Sequence, residues 1–105
     1  MGISASRRTR IRGFIQDYQK FILRATKPSA ARPLLKHSDF AAVLAAESDE
    51  NIAKLGELML EIIVTADTGA RDPSYEVGNK AADKLNFLIE DFHSALEAVG
   101  LDVSL

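Results

Sequence analysis

The chain has 105 residues, 47% of them hydrophobic, with 13 Lys+Arg against 15 Asp+Glu, which is the size and balance of one domain spanning residues 1–105. It contains no cysteine, which excludes disulfide frameworks, thiolate zinc sites, iron–sulfur clusters and cysteine nucleophiles. No apolar run approaches the roughly 18 residues of a membrane-spanning helix, and the net charge of −2 hides a division: residues 1–36 hold nine Arg/Lys and one Asp, residues 37–105 four Arg/Lys and fourteen Asp/Glu.

In chain order, residues 1–6 read as a flexible N-terminal arm. From Arg7 to Ala25, Ile11, Phe14, Ile15, Tyr18, Phe21, Ile22 and Ala25 recur at three- and four-residue steps, predicting an amphipathic helix with Arg10, Asp17, Lys20 and Arg24 opposite the apolar stripe. Pro28 ends it, because the residue before a proline is pushed out of the α region. Pro28–His37 reads as a connection with two leucines turned inward. Ser38 or Asp39 is placed to cap a short helix reaching about Ala46, and Ser48 to cap the next, from Asp49 to Ala66. That helix has an apolar arc of about 240°, widened by Leu60 and Val64, so it is either central or covered by a second copy of the chain. Asp67–Asp72 reads as a turn and Pro73–Val99 as the last helix, capped by Asp72-Pro73 at its start. Gly100 is placed to end that helix in the left-handed conformation, with Leu101 folding back. Three long helices and one short one predict an all-α antiparallel bundle.

Several local patterns suggest chemistry, and each has a plainer explanation. Asp67-Thr68-Gly69-Ala70 matches the aspartic-protease tetrapeptide, but that chemistry sits on an all-β fold and here the motif lies between helical repeats. Glu90-x-x-His93 has the spacing of a di-iron ligand pair, yet Glu90 and the Glu57 and Glu61 that would complete such a site fall on water-facing arcs. Asn79-Lys80-Ala81-Ala82-Asp83 has one residue too many for a guanine-specifying motif, and no phosphate-binding loop accompanies it. The tail Val103-Ser104-Leu105 has the alternation of a sheet-edge ligand but reads more simply as an apolar tail on the bundle. His37 has no partner identifiable from sequence. These patterns imply no catalytic residues, no metal, no cofactor and no small-molecule substrate.

The basic segment is the more informative feature. Met1-Gly2-Ile3-Ser4-Ala5-Ser6 fits the N-myristoylation pattern at Gly2, followed directly by arginines, which would make a two-signal membrane anchor. Arg7, Arg8, Arg10, Arg12, Lys20 and Arg24 either lie beside the acidic edges of the later helices, in the same chain or a neighbouring subunit, or stay open to an anionic partner: an acidic protein, an anionic membrane or nucleic acid. A helix-turn-helix reading fails on sign, because the second helix would present Asp49, Glu50, Glu57 and Glu61 against one Lys54. The expectation is a small non-catalytic, cytoplasmic interaction protein. It self-associates through Leu60 and Val64 and docks through its basic N-terminal segment. The alternatives are a myristoylated peripheral membrane protein or a nucleic-acid accessory factor using the same arginines.

Overall fold

The computed structural model describes residues 4–24, 32–71 and 75–101, and every element among them is helical: α1 (Ala5–Arg24), α2 (Arg32–Leu35), α3 (Ser38–Ala45), α4 (Glu50–Arg71) and α5 (Tyr75–Ala98). Helix α1 begins earlier than its periodicity indicates. The Ser4 hydroxyl accepts a hydrogen bond from the Arg7 N–H at 3.3 Å and the Ser4 carbonyl one from Arg8 at 3.0 Å. Ser4 thus satisfies donors that a helix start leaves free, and the arm expected over residues 1–6 is helical from Ala5.

The connection before α3 contains a single helical turn, α2, with Pro33 in its first turn, where the fixed φ and missing N–H are tolerated. Only one of its two leucines points inward: Leu34 is fully buried and Leu35 is 36% exposed. The expected Ser38 or Asp39 cap is not formed. Both residues are already helical, and the capping position falls on His37, which makes no side-chain cap. The reason is local, because His37 has helical dihedrals (φ −88°, ψ −1°) and leaves no extended residue from which a serine or aspartate could reach back.

At the start of α4 the cap is Asp49 rather than Ser48; its Oδ1 accepts hydrogen bonds from the Asn51 N–H at 2.9 Å and the Ile52 N–H at 3.4 Å. The helix then runs through Asp67–Arg71, where a turn was expected. Gly69 costs only about 1 kcal/mol in a helix, Ala70 and Arg71 favour one, and no proline intervenes before Pro73. The Asp72-Pro73 cap lies outside the described residues. Helix α5 ends as expected: Gly100 has φ 75°, the Leu101 N–H donates to the Leu96 carbonyl at 2.9 Å and the Gly100 N–H to Glu97 at 3.0 Å. This paired arrangement satisfies two terminal carbonyls and lays Leu101 against the core.

Helix α4 is central. It packs along α5, from which three residues separate it, so the two run antiparallel, and it carries α3 and α2 on another flank. Contact with α3 is close enough to require glycine. A Cβ at Gly56 would lie 2.5 Å from the Ala41 carbonyl oxygen and closer still to the Ala45 nitrogen. Helix α1 closes the core through Ile11, Phe14, Ile15 and Tyr18, with Phe14 edge-on to Phe92 of α5 at 5.7 Å between centroids. The apolar excess of α4 is therefore largely explained within one chain: Leu60 is half-buried against the core, and only Val64 stays 63% exposed. No helix among the described residues is long and apolar enough to cross a membrane.

Candidate docking surface on the first helix

The four N-terminal arginines of α1 divide into two flanks. On one, Arg7 forms an ion pair with Glu47, in the connection between α3 and α4, through its Nη2 and the glutamate Oε1. Arg10 lies over the Phe40 ring at 5.3 Å, within cation–π range. Both are turned toward α3. On the other flank Arg8 and Arg12 are exposed, one turn apart, and neither is in an ion pair among the described residues. Lys20 and Arg24 continue the helix, but their side chains lie outside the described residues, as does Gly2.

The flank facing α3 is built on a residue that the sequence reading placed only on the outer face. Asp17 Oδ2 is 2.7 Å from His37 Nε2 and 3.2 Å from Lys36 Nζ, with its side chain only 15% exposed. Burial by itself would raise the Asp17 pKa, but hydrogen bonds from His37 and Lys36, aided by their charge, outweigh it and hold the carboxyl below its usual value. The His37 ring also stands edge-on to Phe14 at 5.5 Å, so it joins α1 to the α2–α3 junction through one polar and one apolar contact. Beside this pair lies an open cleft of about 400 Å³ lined by Arg10, Lys36, His37, Asp39 and Phe40. Its chemistry is mixed, with two fixed cations facing a carboxylate, and Lys36 already engaged by Asp17. Deeper in the core, burial pushes the Tyr18 phenol pKa up and keeps it neutral.

Among the described residues, most carboxylates of the later helices stand apart from these arginines. Glu50, Glu57 and Glu61 on α4 and Asp83, Glu90, Asp91 and Glu97 on α5 are all exposed, and none is in an ion pair among the described residues. Arg7–Glu47 is the one ion pair among them that ties α1 to an acidic residue of the later sequence. Glu90 and His93 both face solvent, and among the described residues no three His, Asp or Glu side chains gather as a metal site. The Asp67 tetrapeptide lies within α4.

Sequence reasoning missed Glu47 and Phe40 as partners of Arg7 and Arg10, and His37 and Lys36 as partners of Asp17. One signal was present: Asp17 is the only acidic residue among the first 36. Comparison with protein-family models, curated proteins and solved structures returned no match.

Proposed function

We propose that this chain is a non-catalytic cytoplasmic interaction protein that docks an acidic protein surface through the Arg8–Arg12 flank of α1. The observation that carries this reading is the exposure of two arginines one turn apart, neither of them in an ion pair among the described residues. Arg8 also sits in the first turn of a helix that has no acidic residue there, so its charge opposes the helix dipole. A charge that is unfavourable to its own helix and unpaired among the described residues is available to a carboxylate outside the fold. Arg7 and Arg10, held by Glu47 and Phe40, serve to seat the helix and leave the free flank turned outward.

The test is binding to poly-L-glutamate, with anionic vesicles and a single-stranded oligonucleotide as parallel arms. Salt-sensitive binding to the acidic polypeptide, lost on Arg8→Gln with Arg12→Gln, supports the reading. Binding that survives both substitutions, or none at all, overturns it. Preference for the vesicle or the oligonucleotide replaces the acidic-protein reading with the membrane or nucleic-acid one, since all three would use the same guanidinium groups.

A further inference from the structure

The outer face of α5 has the opposite character to the free flank of α1. Phe87 is 70% exposed, the most exposed of the large apolar side chains among the described residues. Residues three and four apart are neighbours on a helix surface, so Phe87 is bordered by Asp83 and Lys84 on one side and by Glu90 and Asp91 on the other. Three carboxylates and one ammonium therefore surround an unpartnered aromatic ring, and toward the C-terminal end of α5 the next charged residue is Glu97, also acidic. The last turn of α5 contains no basic residue, so Glu97 stands at the negative end of its helix.

An exposed ring among carboxylates fits a guanidinium: the planar cation stacks on the ring face while its N–H groups reach the carboxylate oxygens. The chain already uses the first half of this pairing internally, where Arg10 lies over Phe40 at 5.3 Å. We propose that the Phe87 face of α5 receives the Arg8–Arg12 flank of α1 from a second copy of this chain. The inference rests on the reading of that flank as a docking surface and names its partner. The spacing agrees, since Arg8 and Arg12 are separated by about 6 Å along the helix axis, as are Phe87 and Asp91. One guanidinium can cover the ring while the other meets Glu90 or Asp91. The two surfaces are different, so each copy that docks keeps its other surface free, and the assembly is head-to-tail.

Sedimentation of the full chain tests this. In low salt the average mass is expected to rise with concentration beyond that of a dimer, and in high salt to return to the monomer. The variants Arg8→Gln with Arg12→Gln, and Phe87→Ala with Glu90→Gln and Asp91→Asn, change exposed side chains only, and each is expected to associate at least about tenfold more weakly while keeping its helical circular dichroism. Mixed together, they should form a one-to-one dimer and nothing larger, because each supplies the surface the other lacks. A wild-type chain that stays monomeric in low salt, either variant assembling like wild type, or a mixture that remains monomeric overturns the proposal. If the wild-type chain is monomeric yet still binds poly-L-glutamate through Arg8 and Arg12, self-recognition fails while the docking reading stands.

Discussion

Asp17 joins two segments that the sequence separates by twenty positions, and its energetics follow from what it touches. Its carboxylate accepts from His37 and Lys36 while largely withdrawn from water, so replacing it by asparagine removes charge-assisted hydrogen bonds and should cost about 1–2 kcal/mol at neutral pH. The pH dependence has a definite sign. The folded-state pKa lies below the ordinary value of 3.8, so the native carboxyl holds fewer protons than the unfolded one in that range. Its contribution is fully present above the unfolded-state value and fades as pH falls through the folded one. Denaturant unfolding of wild type and Asp17→Asn should therefore diverge at neutral pH and converge in acid below 3.8. A gap that stays constant would mean that the side chain acts by shape alone. This contact was only partly legible in the sequence: the lone acid of a basic segment was visible, but its position on the flank facing α3 depends on how α1 sits against the α2–α3 junction, which periodicity does not encode.

Two glycines in long helices test how the elements meet, and the same substitution should have opposite effects at each. A Cβ at Gly13 would have as its nearest neighbour His37 Cε1 at 3.9 Å, an ordinary contact, so Gly13→Ala should stabilise α1 by about 0.5–1 kcal/mol through helix propensity and reduced freedom of the unfolded chain. At Gly56 the added carbon would meet backbone atoms of Ala41 and Ala45, which cannot rotate away, so α3 must move off α4. Overpacking of that kind costs about 1–3 kcal/mol or more and exceeds the propensity gain. Thermal unfolding of the two variants should shift in opposite directions, and stabilisation of Gly56→Ala would show that α3 is not held at this distance. The order of the long helices and, among the described residues, their buried faces were legible from apolar spacing, down to the Gly100 ending. The N-terminal caps of α3 and α4 and the short α2 turn were not, nor were two features of α4. Gly56 shares its face with ordinary core residues, and only the partner helix shows that it marks a close approach. The end of α4 was placed too early because Asp67, Thr68 and Gly69 have the composition of a turn, whereas helical continuation through Ala70 and Arg71 prevailed.

For the molecule as a whole, the small net charge is the sum of a basic first third and an acidic remainder, joined among the described residues by the Arg7–Glu47 pair. Arg7–Glu47 is a half-exposed ion pair, of a kind worth about 0–1 kcal/mol and weakened by salt. If that pair is the main charge contact tying α1 to the later acidic sequence, the bundle is held by its apolar core, and salt should affect folding and association very differently. For a domain of about this size 1 kcal/mol corresponds to roughly 4–8 °C in the midpoint. At concentrations too low for association, moving from low to high salt should therefore shift thermal unfolding by no more than about 8 °C. On the proposed docking, the same change of salt should abolish association through Arg8 and Arg12, because an exposed guanidinium–carboxylate contact is screened by salt. Arg7→Gln should reproduce the small effect on unfolding without affecting association, and Arg8→Gln with Arg12→Gln the reverse. A midpoint that falls steeply with salt would mean that the basic helix is seated by the acidic faces of its own chain. The arginines would then be structural, and the division of charge along the sequence would belong to the fold rather than to its partners.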